Sequence, residues 1–351
     1  MRLALPGIPL LAFLRARRSA VVAGSLALVL LATLHVVVPR RGGGEDIARV
    51  SLPEEEIESA LDEANAAEEA RLAATRGGGQ GSGQGGGAEA GAGAGPAIRA
   101  IDAEWEKRSV PVALQQGRGY VAIVIDDMGL DRPRAMRAIG LPTPLTLSFL
   151  PYGRDAPALA VLARQRGHEI LLHMPMQPMG GESPGPHALT VDLAAVEIRG
   201  RVGAALDRFG DAVGLNNHMG SRFTVDRRLM VPLMDELRAR GLVFVDSRTA
   251  AESQGSEAAG HGGVPMAMRD VFLDNEATAE AINRQLREVE RIARRRGHAV
   301  AIGHPHDATF AALQVATDDR RHGHRLQSLL LQAVPVTTII RRNLERGRAA
   351  Q

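Results

Sequence analysis

Val121-Ala122-Ile123-Val124-Ile125-Asp126-Asp127-Met128-Gly129 is the stretch from which the fold can be read. Five apolar, mostly β-branched residues run without a break into two adjacent carboxylates, and a glycine follows. Such a run, bounded by turn residues, predicts a strand buried on both faces, as in a parallel sheet covered by helices. Successive strand residues point to opposite faces, so two aspartates in mid-strand would drive one charge into the core. The pair fits better after the strand, which is expected over Tyr120–Ile125. In α/β folds that end of a strand is where ligands and catalytic groups collect. Taken alone, the pair would read equally well as an Asx turn closing a strand.

Working outward, strand and helix patterns alternate through the rest of the chain. Helices are expected at Arg132–Ile139, Ala156–Arg166, Asp192–Arg208, Arg227–Arg240, Glu276–Arg296 and Ala308–Val315. Strands are expected at Leu145–Leu150, Glu169–Leu172, Ala212–Leu215, Leu242–Val245, Val264–Leu273, Ala299–Ile302 and Val334–Ile340, with a long Pro/Gly loop over Pro175–Pro186. Gly167, Gly241 and Gly297 serve as helix stops. The alternation implies an α/β fold with a mostly parallel sheet. Seven or eight βα units in this length favour a distorted (β/α) barrel over a doubly wound open sheet.

The 351-residue chain divides by composition. In residues 1–41, Arg15, Arg17 and Arg18 precede an uncharged apolar run, Ala20–Val38, closed by Arg40 and Arg41. At about 1.5 Å per residue that run reaches roughly 28 Å, enough to span a hydrocarbon core. The arginines before the run favour a cytoplasmic N-terminus with export of the remainder of the chain. A single-pass inner-membrane anchor is therefore expected, with a cleaved signal peptide or a buried helix as the alternatives. Residues 42–117 read as a low-complexity tether, rich in Glu and Ala and then in Gly. Residues 118–345 form the expected barrel, facing the periplasm or the outside, and 346–351 a tail. The net charge of +2 and the scarcity of aromatic residues argue against nucleic-acid binding. With no cysteine, neither disulfides nor thiolate metal sites are available.

Polar residues recur at the expected strand ends. Asp126 and Asp127 follow the first strand, His173 the third, and Asn216, Asn217 and His218 the fourth. Asp246, Ser247 and Arg248 follow the fifth, Arg269, Asp270 and Asp274 flank the sixth, and His304 and His306 follow the seventh. Each has a plain structural reading on its own, such as a satisfied core histidine or an N-cap. In a parallel barrel, however, all these ends open on one face. One carboxylate with two imidazoles is a hard-to-borderline ligand set that suits zinc or another divalent ion. Hydrolysis by metal-bound water is the chemistry such a set supports.

The motifs Ile-Asp-Asp-Met-Gly (125–129), Gly-His-Glu-Ile-Leu-Leu-His-Met-Pro-Met (167–176), Gly-Leu-Asn-Asn-His-Met-Gly-Ser (214–221), Phe-Val-Asp-Ser-Arg-Thr (244–249), Arg-Asp-Val-Phe-Leu-Asp (269–274) and Ala-Ile-Gly-His-Pro-His (301–306) occur in that order. Together they resemble the divergent polysaccharide deacetylase family, an outlying branch of the NodB-type carbohydrate esterases, over about Gly119 to Ile340. The resemblance implies a metal-dependent hydrolase that removes acetyl groups from an envelope polysaccharide or peptidoglycan-like glycan. It implies Asp126 as general base, Asp127 and His173 as metal ligands and His304 as acid. The family's second metal histidine falls on Gln177, a poor ligand, and His218 is the natural replacement. Asp246 or Asp270 is expected to hold the His304 ring, and Asn217, Arg248 and Arg269 to support the site or bind substrate. The rival reading is an inactive envelope binding or scaffold protein with a protein partner. A phosphoesterase is a third, for which two metals would be expected.

Overall fold

The computed structural model describes residues 103–317 and 331–349, all within the compact unit Gly81–Gln351. The expected anchor, and the expected tether as far as residue 102, lie outside the described residues. Among the described residues no helix is long and apolar enough to cross a membrane.

Helix α1 (Glu104–Arg108) opens the described part, followed by β1 (Gly119–Met128), α2 (Arg132–Ile139), β2 (Thr146–Phe149), α3 (Ala156–Gln165) and β3 (Glu169–Met176). Next come α4 (Ala195–Leu206), β4 (Gly214–Met219), α5 (Arg227–Ala239), β5 (Val243–Asp246), α6 (Gly255–Gly262), β6 (Met266–Met268) and β7 (Val271–Phe272). The chain ends with α7 (Ala279–Arg296), β8 (His298–Gly303), α8 (Asp307–Thr317), β9 (Leu331–Ala333) and α9 (Val336–Ala349). The strands form one sheet in the order β6-β5-β4-β3-β2-β1-β8-β7, with β9 added beside the first residues of β1. Every pairing is parallel. The sheet curls, because the single stretch Met266–Phe272 pairs with β5 through β6 and with β8 through β7.

Side-chain alternation divides the core in two. Val121, Ile123 and Ile125 of β1 face the helices and join a cluster with Ile139, Leu159, Val202 and Ile292. Ala122 and Val124 face the other way and join Leu171, Val243, Val300 and Ile302 in the curled interior. Trp105 of α1 and Val336, Ile339 and Ile340 of α9 belong to this second cluster and fill it.

Three expectations need correction. Val334–Ile340 is not the last strand; from Val336 onward it is helical, and the strand is Leu331–Ala333. Its β-branched run favours a strand locally. However, Val336, Ile339 and Ile340 stand at helical spacing and are all buried, while Pro335 precedes the first turn. The expected sixth strand is broken at Arg269 and Asp270 into β6 and β7. Packing also begins before residue 118, because Trp105 is 2% exposed and lies in the interior. The glycine-rich helix α6 had no periodic signal to reveal it. A Cβ on its first residue, Gly255, would stand 2.4 Å from Asp246 Oδ2, so only glycine fits there.

Candidate metal centre

The strands run further than their apolar segments suggest and carry the polar residues with them. β1 continues through both aspartates to Met128, and its register against β2 slips between Ile125 and Met128. Asp127 occupies this bulge with φ 56°, a left-handed conformation that an aspartate tolerates. The bulge resolves the two-face problem, since adjacent carboxylates that alternation would separate both reach one site. His173 and His218 likewise lie inside β3 and β4 rather than after them.

Asp127, His173 and His218 meet. His218 Nδ1 is 2.9 Å from Asp127 Oδ1, His173 Nε2 is 3.3 Å from the same oxygen, and the two nitrogens are 3.2 Å apart. In a tetrahedral site with bonds of about 2.0–2.1 Å, ligand atoms are about 3.3 Å apart. Asp127 Oδ1 is buried and has no partner other than these two nitrogens. The hydrogen-bond network supplies an independent check. Asn216 Nδ2 donates to Asp126 Oδ1 at 2.7 Å, which fixes the amide so that Asn216 Oδ1 faces His173 Nδ1 at 2.8 Å. His173 therefore carries its proton on Nδ1, and the lone pair on Nε2 points at Asp127 and His218. Three donor atoms converging on one point fit a divalent cation.

Asp126 lies behind this triangle, 3% exposed, with Oδ2 3.6 Å from His173 Nε2. Burial pushes its carboxyl above the ordinary range, against the pull of His173, His304 and Asn216. Burial also acts to raise Asp127, but the imidazoles of His173 and His218 outweigh it and hold that carboxyl far below the ordinary range. For His173, burial favours the neutral ring, and the charges of Asp126 and Asp127 overcome it and raise the pKa.

His304 flanks the triangle on another side, with Nε2 3.9 Å from Asp127 Oδ2. Asp274 orients its ring. The ring Nδ1 is 3.0 Å from Asp274 Oδ1, and the His304 backbone N–H and Thr309 Oγ1 donate to Asp274 Oδ2 at 2.6 and 2.7 Å. Burial pulls the His304 ring down, but the bond to Asp274 and the charges of Asp126 and Asp127 push it up to about 9. Asp274, His304 and His306 form a second group with ligand atoms close together. Both Asp274 oxygens there are already engaged with His304, one of them with Thr309 as well.

Other expected site residues have structural duties. Asp246 does not hold His304; it accepts from the N–H of Arg248 at 2.7 Å and from Ser253 Oγ at 2.7 Å. Asp270 does not either, being bound to Arg296 Nη1 at 2.6 Å and to the N–H of Val300 at 2.9 Å. Asn217 faces away from the centre, as its place between Asn216 and His218 on a strand requires, and clamps Ser247 N and Met219 O, both at 2.8 Å. Gln177 turns from the triangle and accepts from Val191 N at 2.9 Å. Arg269 ties the loop after β5 through the carbonyls of Ser247 and Arg248, at 2.6 and 2.8 Å. Arg248 is exposed.

Fold and site together define an α/β protein with a curled parallel sheet and a candidate metal centre where four strands, β1, β3, β4 and β8, deliver their polar residues. The divergent polysaccharide deacetylase family matches residues 123–329, more than half of the chain, and the chain belongs to it. A Haemophilus influenzae protein is 37% identical over 194 residues, covering 55% of this chain and 69% of its own. Escherichia coli YibQ is 36% identical over 196 residues, covering 56% of this chain and 61% of its own. The crystal structure of Agrobacterium tumefaciens ATU2773 is 31% identical, covers 67% of this chain and 94% of its own, and superimposes with a TM-score of 0.62.

Proposed function

We propose that the chain is a metal-dependent hydrolase that removes acetyl groups from an envelope polysaccharide, held at the inner membrane by its N-terminal segment. Family membership supports the reaction class. The observation that carries the reading is the triangle of Asp127 Oδ1, His173 Nε2 and His218 Nδ1, with edges of 2.9–3.3 Å. These three residues would hold the ion; His218 comes from β4 and stands in for the second histidine that the family places at Gln177. Bound there, a divalent ion, zinc by the ligand chemistry, supplies a Lewis acid that acidifies water and polarises an acyl carbonyl.

The other steps belong to side chains. Asp126, buried and raised, accepts the proton of the attacking water. Asn216 keeps that carboxylate and the His173 ring in register. His304, protonated at neutral pH and steered by Asp274, delivers a proton to the departing amine or alcohol. The test is to purify the full chain, measure its metal content, and assay acetate release from N-acetylglucosamine oligomers and from O-acetylated glycans. We expect one divalent ion per chain, with acetate release lost in Asp127→Ala and His218→Ala. A metal-free protein that releases no acetate from any of these glycans overturns the reading.

Gln177 favours a second reading, an inactive scaffold, because its side chain is committed to Val191 and not to the centre. Full rescue of a deletion phenotype by Asp127→Ala and His218→Ala would support the scaffold over the enzyme.

A further inference from the structure

Where β6 and β7 part, a cleft of about 410 Å³ follows the break. Arg248 and Arg269 line it toward the carboxyl ends of the strands, Arg296 and His298 toward the amino end of β8, and Met266 and Met268 lie along its wall. The charges on this wall do not cancel. Arg296 is paired with Asp270 at 2.6 Å. Arg269 donates Nε and Nη2 to two carbonyl oxygens, which bear no net charge. Among the described residues, no carboxylate forms an ion pair with the guanidinium of Arg248 or of Arg269. Asp246, next but one to Arg248 in the chain, accepts from the N–H of Arg248 and from Ser253 and makes no direct ion pair with either guanidinium, though its charge is felt at Arg269.

The backbone that presents Arg248 is also unusual. Its φ is 51°, a left-handed conformation that is costly for arginine. Asp246 fixes it through the N–H and Arg269 through the carbonyl, so the chain holds this arginine in place from both sides. Burial and the like charge of Arg248 weaken the hold of Arg269 on its proton, against the pull of Asp126 and Asp246. A planar anion between two such guanidinium groups would relieve the repulsion and gain charge-assisted hydrogen bonds.

The chain links the cleft to the candidate centre through one residue. Ser247, one residue before Arg248, receives Asn216 Nδ2 at 3.1 Å, and the same nitrogen holds Asp126. We propose that the cleft is an anion subsite in which Arg248 and Arg269 grip a carboxylate or phosphate on a sugar flanking the acetylated one. The glycan part of this rests on the deacetylase reading above; the anionic part rests on the cleft alone. A glycan is favoured over a lipid headgroup because Arg248 directly follows Ser247, which shares Asn216 Nδ2 with Asp126 of the candidate centre.

The experiment measures binding without turnover. The full chain, stripped of metal with a chelator, is titrated with a uronic-acid oligosaccharide, its methyl ester, a neutral N-acetylglucosamine oligomer and phosphatidylglycerol vesicles. We expect saturable binding of the uronate, lost on esterification and weakened about tenfold in Arg248→Gln. Arg348→Gln, which removes an equal charge from the exposed end of α9, should leave uronate binding as it is. Equal binding of acid and ester, an Arg248→Gln affinity matching wild type, or Arg248-dependent binding of vesicles but not uronate overturns the proposal. The acetate assay separates the two ideas. Uronate binding with no acetate from any glycan sinks the enzyme and keeps the subsite. Acetate release with an unchanged KM for acidic glycans in Arg248→Gln does the reverse.

Discussion

Asn216 commits both ends of its amide to the candidate centre. Its oxygen faces His173 Nδ1 at 2.8 Å and also accepts from Ser148, while its nitrogen donates to Asp126 at 2.7 Å and Ser247 at 3.1 Å. Removing it leaves a buried carboxylate without its donor and frees the His173 ring to rotate. Partners of this kind are typically worth about 10- to 100-fold in metal affinity. We expect Asn216→Ala to lower zinc affinity by about that factor in a chelator-competition titration, whereas Asn217→Ala costs about 1 kcal/mol of stability and spares zinc binding. Equal zinc affinities for Asn216→Ala and wild type would remove the ring from the centre. Both asparagines were legible as polar residues near a strand end, and alternation from His218 could have told them apart. The assignment of the His304 partner was not legible. Asp246 closes β5 while Asp270 and Asp274 flank β7, all three at strand ends in the sequence, and only the turn after β7 brings Asp274 to the ring.

At the scale of elements, α9 is docked by a buried carboxyl group that the sequence places in a strand. Glu169, the first residue of β3, is fully buried and receives the N–H of Thr337 at 3.1 Å as well as the Thr337 hydroxyl. The preceding N–H, of Val336, goes to Thr146 Oγ1 at 3.0 Å. The first turn of α9 is thus satisfied by the amino ends of β2 and β3, which explains why a β-branched run becomes a helix there. Local propensity carried the helices with long amphipathic patterns, such as α7, but a segment whose partner lies over 160 residues away in sequence could not reveal itself locally. Burial holds the Glu169 carboxyl above its ordinary 4.5, against the donors of Thr337. The folded state therefore keeps a proton that the unfolded chain releases once pH passes 4.5. This contribution to stability is complete below that pH and is lost as pH rises through the folded value. Glu169→Gln removes the titration while keeping the shape. Its Tm should equal that of wild type near pH 4 and exceed it increasingly toward pH 8. A wild-type advantage that grows with pH would mean that the carboxylate is ionised and stabilises α9.

The molecule as a whole is assembled around contributions from separated strands. Asp127 comes from β1, His173 from β3, His218 from β4 and His304 from β8, and in the sheet these strands span β4-β3-β2-β1-β8. The unfolded chain cannot reproduce that set, so an ion bound by it acts on the folding equilibrium of the whole. At 100 times its Kd, such a ligand adds about 2.7 kcal/mol. For a folded body of this size that shifts Tm by roughly 5–10 °C. The experiment also decides between the two groups that could hold a cation, since Asp127, His173 and His218 share no member with Asp274, His304 and His306. The oxygens of Asp274 are taken and Asp127 Oδ1 is not, so the first group should bind. Zinc should therefore raise the Tm of the metal-free wild type and of His304→Gln alike, and leave that of Asp127→Ala and His218→Ala where it was. The opposite pattern, with the shift lost only in His304→Gln, would move the ion to the second group and leave Asp127 as a bare carboxylate between two histidines.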